Sequence, residues 1–469
     1  MALAPQPPIR DRLTDAGAAG RWLWGAACAV SVASLAEETR LGADLSDLAG
    51  ASILIAARDP LAAAVALVEL DGLASRAVVA TPDLGRDHLA GVLERGRIDA
   101  IVTDTHGDAD SLAGLRPAFV CAPGSAGHPR GAATSGTRTT EWVLLTSGTT
   151  GAPKLVVHTL ATLSGAIAAA PQGGCDLVWG TFYDIRRYGG MQILLRALLG
   201  GGSFVVCGEA ESAADYLARL AEHGATHVSG TATHWRRALM SPAARTLHPR
   251  YVRLSGEIAD QGILNSLRSF YPDARVGHAF ASTEAGLAFE VNDGVEGFPA
   301  SVLDGDGPVE ARIVDGSLRI RSNRTALGYL DGMRRPVADA DSFVDTGDMI
   351  ERRGDRCFFL GRRTGVINVG GLKVYPEEVE AAINRHPAVR MSLVRPRRNP
   401  ITGALVAADV VLNDTTPHGA EPSSAATALR QEILALCRAT LPAHKIPTSL
   451  RFVPALDMAA AGKLARGDA

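Results

Sequence analysis

Leu144-Leu145-Thr146-Ser147-Gly148-Thr149-Thr150-Gly151-Ala152-Pro153-Lys154 is the stretch from which the rest of the chain can be read. It ends a short apolar strand and sets four hydroxyl residues and two glycines ahead of a lysine. Glycine lets backbone N–H groups come close to phosphate, hydroxyls donate, and lysine supplies a point charge. It is not the Walker A pattern, because Lys154 is flanked by Pro153 and Leu155 rather than by Gly and Ser or Thr. Taken alone, the string is also compatible with a plain polar loop.

Upstream of it, β-branched runs alternate with helical stretches, as at Ala51–Ala56, Arg76–Ala80 and Ile98–Thr103. Such alternation predicts a parallel sheet with helical crossovers. A Gly/Ser/Thr/Pro-rich loop covers 122–139, and the alternation resumes from 141 to about 290. The character then changes: Glu310–Val314 and Ser317–Arg321, split by Asp315-Gly316, predict a hairpin. Beyond Gly361 the order is strand, helix, strand (Val366–Val369, Pro376–His386, Val406–Leu412), then a polar loop at 413–424 and a helix near 425–440. The expected fold class is therefore α/β. Residues 1–361 form a large region of parallel-sheet subdomains, with a small β subdomain at about 292–360, and residues 362–469 form a small α+β domain. No internal repeat is visible.

A chain of 469 residues is too long for one core and gives two to four domains or subdomains. The net charge of −3 offers nothing to attract nucleic acid. The six cysteines, Cys28, Cys121, Cys175, Cys207, Cys357 and Cys437, form no CxxC pair. That argues against a disulfide framework or zinc site and fits a reducing cytoplasm. Trp22–Ala36 is apolar but shorter than the roughly 18–20 residues that cross a bilayer, so it reads as a buried helix and no membrane span is expected. Residues 1–10 are Pro-rich and read as frayed.

With His158 just beyond it, Thr146–Lys154 resembles the phosphate loop of the adenylate-forming superfamily: acyl- and aryl-CoA synthetases, peptide-synthetase adenylation domains and luciferases. Further segments follow in that family's order. Ser255-Gly256-Glu257 resembles the strand end beside the adenine and acyl pocket. Phe280-Ala281-Ser282-Thr283-Glu284 resembles its aromatic-Gly-x-Thr-Glu motif, with Phe and Ala in place of the commoner Tyr and Gly. Asp345-Thr346-Gly347-Asp348 resembles its Thr-Gly-Asp, and Gly361-Arg362 the pair before its hinge. Ile367–Glu380 resembles the opening of its C-terminal domain, and Gly462-Lys463 with Arg466 its terminal Gly-Lys-x-x-Arg. These motifs span 144–466. The first 140 residues carry none, and the chain is shorter than is usual for the family. The family's hinge Asp or Lys, two residues after Gly-Arg, is here Thr364, followed by Gly365.

The resemblance implies ATP, Mg²⁺ and CoA, or a carrier-protein phosphopantetheine, as cofactors and co-substrates, and a small-molecule carboxylic acid as substrate. It implies that Thr146, Ser147, Gly148, Thr149, Thr150, Gly151 and Lys154 hold the outer phosphates. Thr283 and Lys463 would meet the α-phosphate, and Glu284 the metal. Gly256, Glu257, Phe280, Ala281 and Ser282 would line the adenine site, and Asp348 and Arg362 the ribose. After the C-terminal domain rotates, Gly370, Gly371 and Lys373 would stand beside the pantetheine arm.

The acid pocket is expected from about 180–190, 227–235 and 254–287, with Tyr183, Asp184, Gly189, Thr231 and His234 as candidate contacts. Asp184 would suit an amino or hydroxyl substituent. Arg186 and Arg187 read as a second-carboxylate site or, more simply, as structural residues. His227 and Trp235 either line the pocket or pack. Arg395, Arg397 and Arg398 read as a nucleotide-phosphate site or a solvated face. The expected activity is an AMP-forming acid–thiol ligase with CoA as acceptor. The rivals are a free-standing enzyme that loads an acyl carrier protein and a sensor without turnover.

Overall fold

The computed structural model describes residues 6–14, 18–42, 44–130, 138–146, 152–167, 176–305, 307–331, 333–399, 403–413 and 424–457. Two eight-stranded sheets carry most of it. One runs, edge to edge, through strands Gly286–Val291, Arg275–Ser282, Tyr251–Ser255, His227–Gly230, Val178–Thr181, Ser203–Val205, Trp22–Trp24 and Ala29–Ser31. The other runs through Met333–Arg335, Gly328–Asp331, Lys154–Thr159, Glu141–Thr146, Arg76–Val79, Ser52–Ile55, Ala100–Thr103 and Ala118–Val120. The central pairings of both are parallel. Strands such as Ser52–Ile55, Ala100–Thr103 and Val178–Thr181 are buried at every position. That is why they read as unbroken apolar runs rather than alternating ones.

One continuous core joins the sheets through two helices, Pro60–Leu70 and Tyr188–Leu199. The first opens with Asp59, whose carboxylate accepts the Leu61 N–H at 3.0 Å, and with Pro60, which lacks the N–H that would go unpaired there. All its residues are buried, Glu69 included, whose carboxylate accepts from the Arg40 N–H at 2.8 Å and from Thr39 Oγ1 at 2.5 Å. Each fully buried Leu, Ile or Val here contributes about 1.5–3 kcal/mol.

Two expectations for the N-terminal part fail. Trp22–Ala36 is not one buried helix: it is strand Trp22–Trp24, strand Ala29–Ser31 and the start of helix Val32–Glu37. Leu23 pairs in parallel with Phe204, a partner far along the chain that overrides local helix propensity. The described part of 1–10, residues 6–10, is not frayed either. Ile9 and Leu13 are fully buried, and the Ile9 N–H donates to Asp71 at 2.8 Å. Asp71 also accepts from Trp142 Nε1 at 2.9 Å, which ties this segment to the second sheet.

The region after 292 forms a five-stranded sheet in the order Phe298–Pro299, Arg356–Arg362, Val344–Arg353, Ser317–Ser322, Val309–Val314. Its expected hairpin turns at Asp315 and Gly316, both with positive φ (52° and 76°), as a two-residue turn of this hand requires. A separate C-terminal domain has its own five-stranded sheet, made from Leu372–Val374, Ile367–Val369, Gly403–Leu412, Val389–Asn399 and Ser449–Phe452. It also has its own core of Val379, Ile383, Val406, Val410, Ile433 and Leu450. A single 3-10 turn, Arg363–Gly365, separates this sheet from the preceding one. Two ion pairs flank that junction: Arg363 with Asp345 at 3.1 Å and Arg385 with Glu296 at 2.9 Å. Among the described residues no helix is long and apolar enough to cross a membrane.

Candidate active site

The two strands on either side of the candidate phosphate loop in the chain, Glu141–Thr146 and Lys154–Thr159, are paired antiparallel, with Thr146 opposite Lys154. Ser147, Gly148, Thr149, Thr150 and Gly151 lie outside the described residues, as does Lys463. Side chains alternate along a strand, so Lys154, Val156 and His158 share one face. Tyr329, on the neighbouring strand, is paired with Val156. The Lys154 ammonium stands 5.4 Å from the centre of the Tyr329 ring, within cation–π range. The Tyr329 hydroxyl donates to Glu284 Oε1 at 3.1 Å. Burial, and the carboxylate beside it, raise the phenol above its ordinary pKa, so it stays a donor.

Thr283 and Glu284 form the turn between strands Arg275–Ser282 and Gly286–Val291. Three backbone contacts hold that turn. His158 Nε2 donates to the Thr283 carbonyl at 2.7 Å, the Ala326 N–H donates to the Glu284 carbonyl at 2.9 Å, and the Ala285 N–H donates to Ser282 Oγ at 2.9 Å. A carbonyl cannot donate, so the proton of His158 is on Nε2, and Nδ1 accepts from Thr162 Oγ1 at 3.0 Å. Burial pushes the His158 pKa down to about 4, so the ring is neutral. Gly286 is needed where the turn ends: its φ is +78°, and a Cβ there would stand 2.5 Å from the Arg324 carbonyl.

The candidate acid site lies at the carboxyl ends of the parallel strands, where ligands bind in open α/β sheets. Ser255 pairs with Ala279, so Gly256 and Glu257 emerge beside Phe280 and Ala281. Tyr183 donates to the Ser255 carbonyl at 2.7 Å, and its ring packs over Gly189, where an added Cβ would be 3.6 Å away. Glu257 accepts the Thr233 N–H at 2.8 Å. Thr231 caps the helix Ala232–Ala238 in a reciprocal box: the His234 N–H donates to Thr231 Oγ1 at 3.0 Å, and the Thr231 N–H donates to His234 Nδ1 at 3.2 Å. Burial, then the nearby Arg237, lowers the His234 pKa to about 4. His234 is therefore neutral, with its proton on Nε2, and it packs against Phe182 (5.8 Å) and Tyr183 (5.9 Å).

Asp184 is already engaged. Its Oδ1 accepts from the Arg186 backbone N–H at 2.9 Å and from Arg186 Nε at 2.8 Å. Arg186 is buried and donates through its other end to the carbonyls of Ala57 (3.1 Å) and Arg58 (2.6 Å). It is a structural tie between the two sheets, and Arg187 pairs with Asp83 at 2.5 Å. Arg186→Ala removes the charge partner of Asp184 and the side-chain donors to two carbonyls, and is expected to destabilise the fold by about 3–5 kcal/mol. The check is a fall in the unfolding midpoint, including in the absence of any ligand.

Phe280 stacks between Phe289 (5.6 Å) and Phe359 (5.3 Å), which links the Thr-Glu strand to the five-stranded sheet. In that sheet Asp348 lies opposite Arg362 and pairs with its Nε at 3.2 Å. Gly347 (φ 71°) turns the chain, and the Asp348 N–H donates to Thr346 Oγ1 at 3.2 Å. Gly370 and Gly371, with φ of 58° and 88°, make a two-residue turn in the C-terminal domain, and Lys373 beside them is exposed. Of the three C-terminal arginines, Arg395 is paired with Asp409.

A family model for AMP-binding enzymes matches residues 50–330, and a model for their C-terminal domain matches 378–463. The chain belongs to the AMP-binding enzyme family. Its curated relatives include a 2-succinylbenzoate–CoA ligase of Salmonella typhimurium, 33% identical over 262 residues, which is 54% of this chain and 54% of that ligase. A ligase of the same name from Listeria monocytogenes is 25% identical over 335 residues, covering 69% of this chain and 68% of the other. The chain thus spans about half the length of the first of these relatives and two thirds of the second.

Among solved structures, an anthranilate CoA ligase with bound anthranoyl-AMP superposes with a TM-score of 0.77 at 17% identity, covering 97% of this chain and 94% of the other. The o-succinylbenzoate CoA synthetase of Bacillus subtilis with its acyl-adenylate gives 0.72 at 20% identity, covering 98% and 97%. At these identities the likeness is one of fold. The two family models, with CoA ligases among the curated relatives, place this chain in the adenylate-forming superfamily beside acyl- and aryl-CoA ligases. Tyr329 had no place in the sequence reading: it is a lone tyrosine in a short strand, and its pairing with Val156 is set by the fold.

Proposed function

We propose that this enzyme activates a small carboxylic acid with ATP to an acyl-adenylate and then transfers the acyl group to the thiol of CoA. The observation that carries the proposal is the meeting of Lys154 and Glu284 at Tyr329, one at the end of the phosphate-loop hairpin and one in the Thr-Glu turn. A cation and a carboxylate so placed suit a magnesium triphosphate. Mg²⁺ takes one or two carboxylates and fills its other positions from water and phosphate. Glu284, a single carboxylate in the turn with Thr283 beside it, fits that demand. The metal when bound would neutralise phosphate charge.

In the first half-reaction a carboxylate oxygen of the acid attacks the α-phosphorus, the bond from that phosphorus to the bridging oxygen breaks, and pyrophosphate leaves. No protein nucleophile is needed. The chain's part is to position the reactants and to balance charge. Lys154 and the loop 146–151 hold the outer phosphates, Thr283 and Lys463 meet the α-phosphate, and Asp348 accepts from the ribose. In the second half-reaction the thiol sulfur attacks the acyl carbon, the thiol proton passes to solvent, and AMP leaves as the C–O bond breaks.

We place the turning point at Arg363–Gly365, with residues 362–469 as the part that moves between the halves and Gly370, Gly371 and Lys373 as the part that then meets the thiol. Thr364 stands where the family resemblance leads one to expect Asp or Lys, and Gly365 supplies backbone freedom. The ring-lined site of Phe182, Tyr183 and His234, and relatives named for 2-succinylbenzoate and anthranilate, support an aryl acid.

Pyrophosphate exchange measured over a panel of aryl and short acyl acids tests the adenylation step. AMP release that depends on CoA is the expected second result. AMP release that needs a phosphopantetheinylated carrier protein instead would move the acceptor to that protein. Nucleotide binding with no exchange for any acid would make the chain a sensor.

A further inference from the structure

Glu284 is not held by its own backbone turn alone. The contact that reaches its carboxylate comes from Tyr329, on a strand of the other large sheet. We propose that Tyr329 is a positioning residue for the metal-binding carboxylate: its hydroxyl fixes Glu284, and its ring seats Lys154, so both groups face the triphosphate in one fixed arrangement. This rests on the adenylation reading above.

The register makes the arrangement rigid. Tyr329 is paired with Val156 on one side and with Arg335 on the other. Its ring carries two cations, Lys154 at 5.4 Å and Arg335 at 5.0 Å from the centre, which resist rotation of the phenol. The strand is fixed just upstream, where the Leu327 N–H donates to the Val157 carbonyl at 2.7 Å and the Ala326 N–H to the Glu284 carbonyl at 2.9 Å. A phenol that was merely packing would bury its ring among apolar neighbours. Tyr329 is half-buried, lies between cations, and aims its hydroxyl at the one carboxylate assigned to the metal. The donated bond takes Oε1 and leaves Oε2 for the ion. Groups that orient a metal ligand typically change metal affinity about 10–100-fold when removed.

The test is the Mg²⁺ dependence of ATP–pyrophosphate exchange, at saturating acid, in the parent, Tyr329→Phe, Glu284→Gln and the double variant. Tyr329→Phe is expected to raise the Mg²⁺ concentration for half-maximal exchange about tenfold. KM for the acid and the melting temperature should stay at parental values. In the Glu284→Gln background, which has already lost the charge that holds the ion, the same change should shift the curve by less than it does in the parent. Tyr329→Leu, which also removes the ring, should raise KM for ATP beyond the level of the Phe variant. An unchanged Mg²⁺ curve in Tyr329→Phe overturns the inference, and so does a tenfold shift that persists without Glu284. Equal ATP affinity in the Leu and Phe variants overturns the role given to the ring. If Glu284→Gln itself leaves the Mg²⁺ curve unmoved, the adenylation-site reading falls, and this inference with it. If Glu284→Gln shifts the curve and Tyr329→Phe does not, only this inference falls.

Discussion

Glu284→Gln is expected to lower ATP–pyrophosphate exchange by about 10²–10³-fold, the loss typical when one preorganised charge-stabilising group is removed. The substitution keeps the shape of the side chain and an oxygen that can accept from Tyr329, while it deletes the negative charge. The turn itself stays pinned by His158 and Ala326, which bond backbone carbonyls and not the carboxylate. Folding should therefore be unaffected and the melting curve should overlay that of the parent. The defect should shrink as Mg²⁺ is raised. Full activity at low Mg²⁺ would remove Glu284 from the metal site.

Lys463→Ala is expected to divide the two half-reactions. Its ammonium is proposed to meet charge that builds on the α-phosphate as the acid attacks, and without it exchange should fall by about 10²–10³-fold. Thioester formation from supplied acyl-adenylate and CoA should proceed, since Lys463 belongs to the part proposed to move away before that step. The measurement is made twice on one preparation, once as radiolabel exchange and once as CoA thioester. Equal damage to both steps, or to neither, would contradict the assignment.

What could be read from sequence was whatever depends on near neighbours. The apolar runs at 51–56, 76–80 and 98–103 are strands because a parallel strand buried on both faces has no other way to look. The Asp315-Gly316 turn announced itself because few residues tolerate its dihedrals. Trp22–Ala36 was misread because its strand partner, Ser203–Val205, lies about 180 residues away, and three residues show no periodicity. The described part of 1–10 was misread because composition does not reveal that Asp71 waits for the Ile9 N–H.

The site divides along the same line. Thr283, Glu284 and Lys154 carry local motifs. Tyr329 acquires its place from cross-strand register, and the bond from His158 to the Thr283 carbonyl joins residues of different sheets. Asp184 shows the reverse lesson, for Arg186 two positions on was a visible partner able to claim it.

The junction between the last two sheets has an energetic implication. A swing of the C-terminal domain would part Arg385 from Glu296 and strain Arg363 from Asp345, and both arginines are well exposed, at 41% and 51% of their side-chain surface. Exposed pairs of this kind contribute no more than about 1 kcal/mol each and weaken as salt rises. On the proposed swing such a latch would be soft, and a more saline buffer should shift the balance between the two orientations it separates.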